Sequence, residues 1–306
     1  MSKKKAVLLF NPQAGYGRKK NIFKKNISHQ SHYESLLKMI KAELIAHNFE
    51  LTTLILDKSI NTTDIVAKLT PTKTDIVIAA GGDGTINKII NGLVISKLPL
   101  GIIPIGSVNI LALDLNIALN IKQACQQIAT GSPKKIDIGK ANNHYFSSMA
   151  GIGLDAKIIK HTPLTLKKKF GLSSFAYIAL KILSTYKYNP IHLSIDNKKT
   201  IHTAYSVIIN NSKYYGGKFL ISPKSSLTDG KLEIILLKKG NLRSLFQFLK
   251  HLIYGTLNTC NDITMIQGNT LNINNNEKHH LHVDAEYIGK ETITISLLPK
   301  KLTIIC

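Results

Sequence analysis

Three glycines set between an apolar strand and an amphipathic helix constrain this chain more than any other stretch. The segment Ala79-Ala80-Gly81-Gly82-Asp83-Gly84-Thr85 closes Asp75–Ala79, a continuous apolar run of the kind that forms a strand buried on both faces. After it, Ile86, Ile89, Ile90 and Leu93 recur at helical spacing. A strand that feeds a helix through such a loop leaves backbone N–H groups uncovered beside the positive helix end, a ready seat for phosphate. Glycine lets a polyphosphate approach that backbone. Thr85 adds a hydroxyl, and Asp83 a carboxylate able to orient a metal-bound water. Neither Gly-x-Gly-x-x-Gly at this loop nor Gly-x-x-x-x-Gly-Lys-Ser/Thr anywhere in the chain provides a standard nucleotide fingerprint. The plain alternative is a tight turn built on an Asp-Gly pair.

A chain of 306 residues is long enough for two cores. Cys125, Cys260 and Cys306 are odd in number, far apart and without metal-ligand spacing, which predicts a reduced, cytoplasmic protein. The basic start is followed by only five apolar residues, Ala6–Phe10, too few for a signal core, and Phe170–Tyr188 is broken by Lys181 and several hydroxyls, so no span is expected. The formal net charge of +22 favours a polyanion as partner. The lysines are spread along the chain and not interleaved with aromatics, which speaks against nucleic acid and leaves nucleotide or an anionic membrane surface.

In chain order, Lys5–Phe10 reads as a strand that ends in Asn11-Pro12-Gln13-Ala14-Gly15, with Arg18, Lys19 and Lys20 close behind as partners for a polyphosphate. Tyr33–Asn48 and Thr63–Leu69 read as helices, and Leu51–Leu56 as a strand. Leu100–Ile103 is a further strand that ends in Pro104-Ile105-Gly106-Ser107-Val108-Asn109, with helices over Ile110–Asn116 and Ile121–Thr130. This alternation predicts an α/β domain with a parallel sheet, all three glycine loops at its carboxyl edge. Beyond Gly131-Ser-Pro133 the pattern turns mostly to antiparallel β, sandwich-like, with strands expected at Ile201–Ile209 and Glu291–Leu297 among others and a helical stretch opening at Gly151. The expected domains are 1–132, α/β with the three glycine loops, and 133–306, β-rich. A last strand near 301–306 is a candidate to return to the first.

Five motifs in order, Asn11-Pro-Gln-Ala-Gly15, Gly81-Gly-Asp-Gly-Thr85 with Asn87, Pro104-Ile-Gly106-Ser107-Val-Asn109, Thr228-Asp229-Gly230 and Asp284-Ala285-Glu286, resemble the diacylglycerol kinase catalytic family, and within it the soluble bacterial lipid kinases related to sphingosine and ceramide kinases. The resemblance implies that Asn11, Pro12, Gly15, Gly81, Gly82, Asp83, Gly84, Thr85, Asn87, Gly106 and Ser107 hold ATP. It implies that Asp284 and Glu286 lie with Asp83 at the catalytic centre, one of the pair taking the lipid hydroxyl's proton. It also implies that Asp229 binds Mg²⁺ with backbone oxygens near Ser226 and Lys231. Ser107 replaces the usual threonine, Ile110 a common aspartate, and Ala285 a glycine between the acids, tolerable only at negative φ.

Phosphoryl transfer asks for positioning, charge neutralisation and an aligned hydroxyl more than for covalent help. Two carboxylates two apart on a strand point the same way and so reach one cleft. His279, His280 and His282, with no spaced partner, read as surface residues. The expected function is an ATP-dependent lipid kinase acting on diacylglycerol or a similar long-chain alcohol. It would be cytoplasmic and held electrostatically to the inner membrane face, with a monomer or homodimer left open. The alternatives are a NAD kinase, against which the Asn11 loop and the acidic pair speak, or an inactive lipid- or membrane-binding relative.

Overall fold

A computed structural model of the chain describes residues 3–14, 29–57, 59–162, 189–217, 219–273 and 277–306. The chain divides into two compact units, the first Met1–Ile136 with Lys300–Cys306, the second Asp137–Pro299.

The first unit alternates strand and helix: β1 (Lys4–Phe10), α1 (His29–Ala46), β2 (Phe49–Ile55), α2 (Thr62–Ala67), β3 (Ile76–Gly81), α3 (Asp83–Ser96), β4 (Leu100–Pro104), α4 (Ile110–Asp114) and α5 (Ile121–Thr130). The strands lie parallel in the order β2-β1-β3-β4. β3 and β4 are buried along their whole length, as a sheet covered on both faces requires. Phe10, Ile40, Leu44, Ile78 and Ile103 form the core between the sheet and α1 and α5. The three loops leave the sheet at its carboxyl edge, as the alternation predicts, and the order, with β1, β3 and β4 as neighbours, sets them side by side.

The second unit is mostly antiparallel. Its strands include β5 (Pro133–Ala141), β6 (His144–Phe146), β7 (Met149–Gly153), β8 (Ile191–Ile195), β9 (His202–Ala204) and β10 (Ser206–Asn210). After the short β11 (Tyr214–Tyr215) and β12 (Phe219–Leu220) come β13 (Leu232–Leu237), β14 (Ile263–Gly268), β15 (Thr270–Ile273), β16 (His279–Val283), β17 (Glu286–Glu291) and β18 (Thr294–Ile305). One sheet runs β14-β13-β10-β7-β16-β17, and β8 pairs with both β9 and β15. The end of β18 belongs to the first unit, where Ile304 pairs with Leu100 of β4 in parallel.

Four expectations need correction here. Gly151 opens no helix: it lies in β7, a buried interior strand, and α6 (Leu154–His161) starts after Gly153 at φ 85°. Ile201–Ile209 is two strands, because the chain changes sheets at Tyr205. Glu291–Leu297 likewise splits, its start ending β17 and its remainder opening β18, which also absorbs the strand expected at Lys301–Ile305. A helix the β reading passed over, α7 (Leu242–Tyr254), is capped by Asn241, whose side chain accepts from the Ser244 amide, and closed by Gly255 at φ 67°. Its Leu245, Phe248 and Leu252 pack against Ile208, Ile235 and Leu237. The amphipathic basic stretch Lys167–Tyr188 lies outside the described residues.

Candidate active site

In the first unit the three loops are tied together by named bonds. Asn11 Nδ2 donates to Thr85 Oγ1 at 2.7 Å, linking the loop after β1 to the one after β3. Asn11 Oδ1 accepts from the Gln13 amide at 2.9 Å, which folds Pro12 into a turn. Gly15, Arg18, Lys19 and Lys20 lie outside the described residues. The glycine motif is itself the first turn of α3: Gly82 is the N-cap in extended conformation and Asp83, Gly84 and Thr85 are already helical. The leading N–H groups of such a turn have no helical partner.

The glycines have a different reason from the expected one. Gly81, Gly82, Gly84 and Gly106 all avoid positive φ. A Cβ on Gly81 would meet Thr85 Cβ at 2.6 Å, and one on Gly106 would meet Gly82 Cα at 2.5 Å, so these positions serve close packing of loop on helix and loop on loop. Only Gly84, among these four, has no atom of the described residues within 4 Å of where a Cβ would stand. Close packing thus accounts for glycine at Gly81, Gly82 and Gly106, and it gives no such reason at Gly84.

Asp83 has a structural task. Its carboxylate accepts from the Asn109 amide at 3.0 Å and the Ile110 amide at 2.7 Å, capping α4 from across the loops. Asn109 is held at φ 58°, and its side chain accepts from the Gly106 amide and donates to the Gly106 carbonyl. Asn109 is thus the bracket of the third loop, a role signalled in the sequence only by its type, since Asn tolerates the left-handed region. Ser107 is exposed at the loop tip, whereas Asn87 is buried one turn into α3, where Asn91 donates to it.

In the second unit Asp284 and Glu286 do not share one strand. Asp284 and Ala285, at φ 43° and 61°, form the two-residue turn between β16 and β17, with Val283 opposite Glu286. Ala285 therefore takes the positive φ that the sequence reading made a condition against it; a two-residue hairpin with the right twist demands it at both central positions. Asp284 accepts four hydrogen bonds, from the amides of Ser147, Ser148 and Met149 at 2.9 Å each and from Ser147 Oγ at 3.2 Å. That number fills the lone pairs of a carboxylate and makes it an anchor. Glu286 is exposed at the start of β17.

Asp229 is exposed in the loop before β13, its two oxygens accepting from the Ser226 and Lys231 amides at 3.0 Å each. The buried Asp137 steadies this loop by accepting from the Gly230 amide at 2.8 Å. Among the described residues no three or more His, Cys, Asp or Glu side chains gather as a metal cluster.

Two of the three histidines are buried and the third, His280, is half-buried. His282 is fully buried and bonds Asp155 Oδ2 through Nε2 at 2.9 Å, while Tyr215 donates to Asp155 Oδ1 at 2.9 Å. Burial, and then the neighbouring Asp155, push the Tyr215 phenol well above its usual range, so it stays a donor. Gly151 leaves the room that His282 and Asp155 occupy. His279 is also buried, and His280 bonds the Tyr287 hydroxyl at 2.7 Å. A register shift between Leu281 and His282 breaks the simple alternation of β16, and no local pattern joins His282 to a partner 127 residues away.

Known proteins resemble the chain over nearly its full length. The family model for the diacylglycerol kinase catalytic domain matches residues 5–141, and that for the YegS C-terminal NAD kinase beta sandwich-like domain matches 148–306. The diacylglycerol kinase of Bacillus subtilis (strain 168) is 28% identical over 289 residues, covering 94% of this chain and 91% of that protein. That of Staphylococcus aureus (strain Newman) is 28% identical over 290 residues, 94% and 88% of the two chains. A solved chain from Bacillus anthracis str. Sterne superposes with a TM-score of 0.80 at 25% identity, covering 100% of this chain and 96% of that one. With the two family models falling on the two motif-bearing halves in turn, the chain belongs to the diacylglycerol kinase catalytic-domain family.

Proposed function

We propose that the protein is an ATP-dependent lipid kinase that transfers the γ-phosphate to the hydroxyl of diacylglycerol or a similar long-chain lipid alcohol. Family membership supports the reaction class. One structural observation carries the donor side: three interlocked loops at a sheet's carboxyl edge adjoin a helix start whose Gly84 is exposed and uncrowded among the described residues. In this reading the N–H groups around Gly84 and the Thr85 hydroxyl bind the polyphosphate, and the Asn11 and Ser107 loops flank it. Asp83 holds two of the loops in register. The close glycine contacts keep them there, so binding needs little reordering.

Glu286 is the base that takes the proton from the lipid hydroxyl, since its carboxylate is exposed while that of Asp284 is engaged by four donors. Asp229 is the Mg²⁺ candidate. Two of its roughly four lone-pair positions are taken, so a single exposed carboxylate with loop carbonyls fits an ion that keeps most of its waters. When bound, Mg²⁺ supplies charge neutralisation for the phosphate oxygens. The charge of +22 supports electrostatic attachment to the inner, anionic membrane face in the cytoplasm.

The test is transfer of label from γ-labelled ATP to a total lipid extract, with NAD offered in parallel. A labelled phosphatidic acid is the expected product. Label in NADP, or ATP binding with no labelled lipid from any fraction, would overturn the reading in favour of a NAD kinase or an inactive relative.

A further inference from the structure

Helix α7 carries an exposed apolar stripe that no described residue covers. Leu242, Phe246, Leu249 and Ile253 recur at i, i+4, i+7 and i+11, a narrow stripe along three turns. Their exposures are 48%, 62%, 39% and 63%, against buried Leu245, Phe248 and Leu252 on the packed side. Tyr254, 73% exposed, ends the helix beside them, an aromatic of the kind that settles at a membrane interface. Next to α7, β12 adds Leu220, 41% exposed. Isolated exposed leucines need no explanation, but a continuous stripe of this length does.

The charges beside the stripe name the occupant. α7 carries no Asp or Glu, while Arg243 and Lys250 flank the stripe and Lys238 and Lys239 precede it. Lys239 pairs with Asp262 at 2.6 Å, which leaves a clear positive excess along the helix. A second copy of the same face would bring like charges together, because a two-fold interface sets each patch against itself. A peptide helix seeks a groove, whereas this face is a ridge. An apolar ridge with basic flanks and no acid fits the headgroup boundary of an anionic bilayer, where apolar side chains enter the acyl region and cations meet phosphates.

We infer that α7 is a membrane-docking helix, which inserts Phe246, Leu249 and Ile253 into the surface of an anionic bilayer while Arg243 and Lys250 contact lipid phosphates. The inference deepens the lipid-kinase reading, on which it rests for the need to reach a membrane-bound substrate, and it adds the place where attachment occurs.

Two measurements on the full chain, both without ATP, test it. The sequence contains no tryptophan, so Phe246→Trp supplies a single fluorescent reporter. With vesicles of phosphatidylglycerol and phosphatidylcholine its emission should shift to the blue and be quenched by brominated acyl chains; with phosphatidylcholine alone the shift should be small. In sedimentation with the same anionic vesicles, Phe246→Ser with Ile253→Ser should bind about tenfold more weakly or worse than wild type, with an unchanged melting temperature. An unshifted reporter on vesicles that pellet the protein, or equal pelleting of the double variant, overturns the inference. So does light scattering in which the double variant splits a wild-type dimer yet keeps its vesicle affinity, which would make the face a contact between copies. Wild type that docks through α7 but phosphorylates no lipid would sink the kinase reading and leave the docking helix standing.

Discussion

The glycine loops of the first unit and the acidic turn of the second solve opposite backbone problems with the wrong-looking residues. Among the described residues the loops contain four glycines, Gly81, Gly82, Gly84 and Gly106, none at positive φ; the positive φ there falls on Asn109. The acidic turn contains no glycine, yet it places Asp284 and Ala285 at φ 43° and 61°. Glycine in the first region answers crowding, because backbone must lie against backbone at Gly82 and Gly106. Positive φ in the second region answers hairpin twist, and three backbone amides hold Asp284 in place against its strain. In each region the motif aspartate builds the loop, and a neighbour, Gly84 or Glu286, is left exposed.

The largest effect should separate the two acids of the second region. Glu286→Gln should lower turnover about a hundred- to ten-thousandfold with melting temperature and ATP affinity near wild type. Asp284→Asn should instead cost about 2 kcal/mol of stability in denaturant titrations, because an amide cannot accept what the carboxylate accepts. If Asp284→Asn is stable and dead while Glu286→Gln is active, the division of labour is reversed.

In the first region Gly84→Ala should leave stability unchanged or raised by up to about 1 kcal/mol, as alanine suits a helix, while the KM for ATP rises about tenfold or more. Asp83→Ala should lose about 1–2 kcal/mol of stability through the lost cap on α4, along with activity. A loss of activity with no loss of stability would return Asp83 to a purely catalytic role. Ala285→Gly should stabilise the protein by about 0.5–1 kcal/mol, the relieved left-handed strain outweighing the added chain entropy.

The smallest effect concerns His279 and His280, which burial holds below the usual 6.5. A folded-state value below the unfolded one means the unfolded chain binds the proton first. Their contribution to stability is therefore present above 6.5 and is lost as pH falls below it. Melting temperatures through this window should fall less steeply in a His279→Asn variant.

How much of this was legible follows from the range of the interactions involved. The parallel sheet and the loops at its carboxyl edge came from the alternation of strand and helix patterns, which are local signals joined by one topological rule. Helix α7 was readable too: Asn241 as a cap, leucines at helical spacing and Gly255 as a stop are all in the sequence, and the β pattern around them drew attention away. The Asp83 cap on α4, the Asp284 anchor and the His282–Asp155 pair were not readable, because each joins residues between 26 and 137 positions apart through contacts that exist only once the sheets form. The acidic turn failed for another reason. Alternation assumes a continuous strand, and two residues at positive φ end one.

The most direct test of the account measures the rate of labelled phosphate transfer from ATP to dioleoylglycerol as ATP is varied, in wild type and in Gly84→Ala of matched melting temperature. The account predicts phosphatidic acid from both, with the ATP KM raised about tenfold or more in the variant. A variant with the wild-type KM would contradict the claim that the open start of α3 is where ATP is held.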